Sequence, residues 1–250
     1  MVLATAEPGR VVLVDTGPEP TLVLDCLRDL GVSRIALVVI SHLHADHIGG
    51  LGAVLTDYPV GAVGVGLWHE PSWAWAQVQR ESRNATVPLV GLAAGQRMQW
   101  PGLNVAVMAP RRVPTLAGPN LTGTVVNDAS LVLMAETTAG RALLTGDVEL
   151  AGQAGLVLSG VDLEADVLKV PHHGSRYSSP AFLARVRPRV AMVSVGAGNR
   201  FGHPSPFILQ TLARQGATVL RTDTDGDVAV LGGPQGPLSA RRGQSRAPPR

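Results

Sequence analysis

A chain of 250 residues with 45% hydrophobic and 16% charged side chains can bury one large core or two smaller ones. Its apolar runs, such as Ile35 to Ile40, fall far short of the roughly 18 residues that a membrane-spanning helix needs, and a single cysteine, Cys26, excludes both a disulfide framework and a cysteine-cluster zinc site. The pI of 9.2 owes much to Arg241, Arg242, Arg246 and Arg250; without them 17 basic face 19 acidic side chains, so bulk charge makes no case for a nucleic-acid partner.

The opening MVLATAEPGRVVLVDTG has neither a basic leader nor a sustained apolar stretch, so it does not read as a signal peptide. Its apolar part, RVVLVDTG, predicts a strand, followed by a helix in TLVLDCLRDLG, a strand in RIALVVISH and a short helix opening near His47. SLVLMAE and RALLTGD read as paired strands. Beyond them come helix VELAGQAGLVLSG, strand ADVLKV, helix SPAFLARV, strand RVAMVSVG, helix PSPFILQTLARQG and strand ATVLRTD. TDTDGD lacks full calcium-loop spacing and the closing glutamate, and reads as a hairpin turn at Asp225 and Gly226. Both halves mix strands and helices, which predicts two sheets packed face to face with helices outside. Composition separates a globular domain over 1–231 from a Pro/Gly/Arg tail over 232–250 that reads as disordered.

The stretch HLHADH spends three of seven histidines within six residues. His42 and His44 cannot share a helical face but can converge from a loop, and the buried run ALVVIS would hold that loop rigidly. Imidazole suits zinc, manganese or iron, and an adjacent carboxylate adds a harder ligand. The order His42, His44, Asp46, His47 can therefore seat two metals with two ligands each.

HLHADH resembles the HxHxDH signature of the metallo-β-lactamase superfamily, mostly binuclear metal hydrolases with an αββα four-layer sandwich. The resemblance implies that Asp15 in VVLVDTG braces the metal loop, that Asp147 in RALLTGD bridges the metals, and that His172 or His173 in VLKVPHHGS supplies the last ligand. Strand alternation would send those two histidines to opposite sides, leaving the choice open. Many members carry a further histidine between the regions of His47 and Asp147. Here His69 in LWHEP comes too early, and Asp128 in VVNDASLVL is the expected replacement, an oxygen donor that tilts the site toward manganese with zinc second.

A narrower resemblance, carried by LKVPHHGS and NRFGHPS, is to the soluble carboxy-terminal domain of the bacterial competence channel ComEC, which takes up DNA. That family usually begins with a further strand and glycine-rich acidic turn, here reduced to Met1 to Thr5, so the chain reads as a fragment of a longer membrane protein or as a late-called start. The resemblance implies a DNA phosphodiester hydrolase degrading the non-imported strand, on the extracytoplasmic face of the membrane and beside its own channel. His42, His44 and Asp128 are expected on one metal, and Asp46, His47 and His173 or His172 on the other. Asp46 is also expected to take the water's proton. Lys169, Arg176, Arg200 and His203 are expected to neutralise the phosphate, with Ser175 as a further contact. The alternatives are a phosphodiesterase for a small or cell-wall substrate, such as a choline-phosphate esterase, and an inactive DNA-binding domain. Trp68, Trp73 and Trp75 read as caps on a core rather than base-stacking residues.

Overall fold

A computed structural model describes residues 1–115 and 121–242. They fall into two compact units, Met1–Leu131 and Val132–Arg250.

In the first unit a five-stranded sheet has the order β1-β2-β3-β4-β5. Its strands are β1 (Val2–Ala4), β2 (Arg10–Val14), β3 (Arg34–Ile40), β4 (Val63–Gly66) and β5 (Leu89–Leu92), all parallel except β1. The last four residues of β3 are buried. Side chains of one strand alternate between faces, so burial at consecutive positions means that the sheet is covered on both sides there.

Helix α1 (Pro20–Asp29) covers one part of the core through Leu27, which is fully buried, while Arg28 and Asp25 pair on its outer side at 2.8 Å. Pro20 starts this helix where a missing N–H costs nothing. The short α2 (Ala45–Ile48) and α3 (Leu51–Asp57) follow β3, and α4 (Ser72–Asn84) follows β4. Gly50 allows the α2–α3 corner to lie against Thr16, whose carbonyl would be 2.6 Å from any Cβ there. An antiparallel hairpin, β6 (Arg97–Trp100) and β7 (Leu103–Ala109), and α5 (Gly123–Asp128) complete the described part of the unit.

The second unit pairs β8 (Val132–Thr137) antiparallel with β9 (Gly140–Leu144), as the sequence predicts. From β9 the sheet continues in parallel through β10 (Val167–Lys169), β11 (Val190–Val193) and β12 (Thr218–Arg221). The intervening helices are α6 (Leu150–Leu158), α7 (Pro180–Val186) and α8 (Pro206–Arg214). Parallel strands need such crossovers, and they carry the loops after β9, β10 and β11 to one edge of the sheet.

Two segments differ from the sequence reading. Thr222–Asp225 forms a helical turn, α9, instead of a hairpin turn, because Arg221 grips Asp223 through two hydrogen bonds and its amide donates to Asp225. Within the expected irregular tail, residues 232–241 complete β13 (Val228–Gly233) and form β14 (Gly236–Arg241), an antiparallel hairpin; 243–250 lie outside the described residues. No helix among the described residues is long and apolar enough to cross a membrane.

Candidate metal centre

The first unit presents the histidine-rich loop at the carboxyl end of β3, with His44 as the residue that opens α2. Asp15 follows β2 in left-handed backbone (φ 58°), a conformation that aspartate tolerates better than most residues. Its amide is anchored on the Val39 carbonyl. From there its carboxylate accepts the Ser41 amide at 2.7 Å, the Ser41 hydroxyl at 2.9 Å and His47 Nδ1 at 2.8 Å.

These contacts decide the histidine tautomers. A carboxylate only accepts, so His47 carries its proton on Nδ1 and presents the Nε2 lone pair. The Ser41 proton is committed to Asp15, so the Ser41 oxygen accepts from His42 Nδ1 at 3.1 Å, and His42 also presents Nε2. His42 Nε2 lies 3.0 Å from His44 Nδ1, and the His42 and His47 ring centroids are 4.0 Å apart. Asp46 Oδ2 is 3.7 Å from His47 Nε2. Two imidazoles with their Nδ1 protons held by Ser41 and Asp15 thus converge with the His44 ring and the Asp46 carboxylate, a set of residue types suited to a borderline divalent cation.

Asp128 is the last residue of the short helix α5, just ahead of β8. The first turn of that helix lies beside the same loop: a Cβ on Gly123 would come within 3.8 Å of His44 Cε1. The turn after Asp128 is tied back by the Leu131 amide donating to the Ser41 carbonyl at 2.8 Å. His69 is stacked on Trp75, with ring centroids 3.9 Å apart, and burial lowers its pKa.

In the second unit Asp147 follows β9, 2% exposed. Lys169, on β10 and also buried, donates to Asp147 Oδ1 at 3.2 Å and to the Gly146 carbonyl at 2.8 Å. Lys169 is therefore spent on holding the carboxylate. The other oxygen, Oδ2, faces His173 Nε2 at 3.2 Å. His173 Nδ1 is 2.6 Å from the Ser194 carbonyl, which can only accept, so a neutral His173 turns the Nε2 lone pair toward a carboxylate. Two acceptors facing each other at that distance call for a cation or a proton between them. The donor chemistry fits a divalent metal.

His172 and His173 occupy a tight turn with positive φ (46° and 55°), not a strand, so alternation does not govern them. The turn sends His172 the other way, toward Glu149 Oε1 at 3.1 Å, where it is close but not aligned for a hydrogen bond. Burial lowers the His172 pKa against the opposing pull of Asp147 and Glu149. His203 stands 5.2 Å from His172 between ring centroids, and its pKa is lowered first by burial, then by the two neighbouring histidines.

Ser175 is fully buried, and its Oγ accepts the Tyr177 amide at 3.3 Å, which makes it part of the turn. Arg176 is exposed, donates to the Tyr177 hydroxyl at 2.9 Å and lies over its ring; Arg200 is exposed. Glu149, buried beside His172, was not singled out in the sequence. Its one signal there is its place two residues after Asp147.

A model of the Metallo-beta-lactamase superfamily matches residues 1–196. The chain is 32% identical over 201 residues to "ComE operon protein 3" of Bacillus subtilis, covering 79% of this chain and 25% of that protein. It is 30% identical over 223 residues to "Competence protein ComA" of Neisseria gonorrhoeae, covering 87% of this chain and 29% of that protein. The chain thus spans between a quarter and a third of the length of these relatives. Among solved structures, Zn(2+)-bound PqqB from Methylobacterium extorquens matches with a TM-score of 0.57 at 16% identity, over 88% of this chain and 84% of that one. That likeness shows the fold alone.

Proposed function

Because the chain belongs to the metallo-beta-lactamase superfamily, we propose that it is a metal-dependent DNA phosphodiester hydrolase, the nuclease domain of a DNA-uptake channel, which degrades the strand that is not imported. The observation that carries the metal-dependent part is the pairing of Asp147 Oδ2 with the His173 Nε2 lone pair, the one held on its far side by buried Lys169 and the other by the Ser194 carbonyl. The relatives named for competence support DNA as the substrate.

In this reading His42, His44 and Asp128 would hold one divalent ion, Asp46, His47 and His173 would hold a second, and Asp147 would contribute to both. His173 is preferred to His172 because its ring is the one turned to Asp147. An aspartate in place of an imidazole hardens the first set, which favours manganese, with zinc second. Bound there, the ions supply Lewis acidity at a phosphoryl oxygen and lower the pKa of water.

The rest of the chemistry belongs to side chains. Asp46 accepts the proton of the attacking water at a carboxylate oxygen. Arg176, Arg200 and His203 offer N–H donors to the phosphate, whose charge builds toward the transition state. His203, with its lowered pKa, does so as a neutral ring near pH 7. Lys169 acts one step back by holding the Asp147 carboxylate in place. The same reading sets the chain beside the membrane channel of a longer protein, on the extracytoplasmic face.

The test is digestion of plasmid and single-stranded DNA with manganese, with chelator, and with an Asp147→Asn variant. Cleavage is expected to require manganese, to stop with chelator, and to fall by more than about a hundredfold in the variant. Equal digestion by Asp147→Asn would contradict the assignment.

A further inference from the structure

The loop after β11, NRFGHPS, is built around one side chain. Asn199 accepts the Phe201 amide on Oδ1 at 3.0 Å and donates through Nδ2 to the His203 carbonyl, so a single amide clamps the residues on both sides of Gly202. Gly202 sits at φ 74°, a conformation that lets the chain reverse between the two rings. The loop is further stapled to the histidine turn: the Ser205 amide donates to the Gly174 carbonyl at 2.8 Å. The clamp turns His203 inward beside His172 and leaves Phe201 83% exposed.

An aromatic ring so exposed gains nothing from burial in the folded chain. Yet it is fixed at both flanks, and its centroid lies 6.4 Å from the His203 ring at an interplanar angle of 23°. A flat apolar surface held beside a phosphate-binding histidine is the combination that proteins use on single strands, where cationic groups take the backbone and an aromatic face takes a base. Of the other exposed rings in this region of the chain, Phe207 belongs to the first turn of α8 and Tyr177 already lies under the Arg176 guanidinium, 5.0 Å from its centroid, so neither is held by the Asn199 clamp.

We propose that Phe201 is a nucleobase-stacking platform beside the phosphate-binding residues, so that the protein favours phosphodiesters flanked by an aromatic base over bare sugar-phosphate. The proposal rests on the nuclease reading above and names the part of the substrate that this loop engages.

The experiment measures binding of the full chain, carrying Asp147→Asn to suppress cleavage, to a labelled oligothymidylate and to an abasic oligonucleotide of equal length. Fluorescence anisotropy gives the ratio of the two affinities, with and without Phe201→Ala, Phe201→Trp or, as an exposed apolar control on α6, Leu158→Ala. The intact strand is expected to bind roughly tenfold tighter than the abasic one. Phe201→Ala should bring the ratio close to one, Phe201→Trp should keep it, and Leu158→Ala should leave it as it was. A ratio unmoved by Phe201→Ala, or moved equally by Leu158→Ala, overturns the proposal. A protein that shows the expected ratios while the Asp147 parent cleaves no DNA upholds the platform and removes the nuclease reading alone. A protein that binds neither strand overturns both.

Discussion

Lys169 is the only lysine in the chain, and it is buried. Its ammonium offsets the Asp147 carboxylate, and removing one member of such a buried pair typically costs about 3–5 kcal/mol, because the remaining charge is left in a poor solvent. A divalent ion on the other carboxylate oxygen would take over part of that offset. Lys169→Met should therefore lower the melting temperature more in chelator than in manganese. An equal loss in both would mean that Asp147 does not meet an ion. The same residue shows what single positions disclose. Its uniqueness and its place before PHHG were visible in the sequence, but whether it served substrate or carboxylate was not, since that depends on a strand register placing Lys169 beside Leu144. Glu149 and the role of Asn199 were invisible for a related reason: Asn199 opens NRFGHPS and Glu149 belongs to no motif, yet each matters only through a neighbour, His172 for Glu149 and the Phe201 and His203 backbones for Asn199.

At the scale of elements, the turn that follows β10 is the most demanding piece of backbone in the second unit. His172, His173 and Gly174 all have positive φ, and a Cβ at Gly174 would stand 2.6 Å from Pro204 Cβ. An alanine there would meet both left-handed strain, about 1–2 kcal/mol, and a clash with the loop that bears His203. Gly174→Ala should lower stability by about 2–4 kcal/mol in a denaturant titration and reduce activity with it. A fully stable variant would show that the turn relaxes without cost. The sequence revealed the elements whose side chains alternate or run apolar, such as β2, β3 and the β8–β9 pair. It missed the β13–β14 hairpin, because that segment is rich in Gly and Pro and much of it is exposed, so no buried face writes a pattern. It missed α5 as well, whose six residues are too few to show a helical period. The HLHADH loop was legible because its candidate ligands fall within six residues. Asp128 was reached only by resemblance and elimination, and the role proposed for it depends on where a short helix ends.

For the whole molecule, the superfamily match runs from residue 1 to 196 and so takes in the first compact unit and part of the second. The proposed ligands are distributed along the chain, with His42, His44, Asp46, His47 and Asp128 in the first unit and Asp147 and His173 in the second. Each donor set is prepared in its own unit: Asp15 and Ser41 fix the tautomers in the first, and Lys169 and the Ser194 carbonyl fix the pair in the second. The most direct measurement is the metal-to-protein ratio, by elemental mass spectrometry, of folded full-length chain loaded with manganese and then desalted. The account predicts about two ions per chain, falling to one or fewer in Asp147→Asn. A folded protein that retains no divalent ion, or an Asp147→Asn variant that retains as many as its parent, would contradict it.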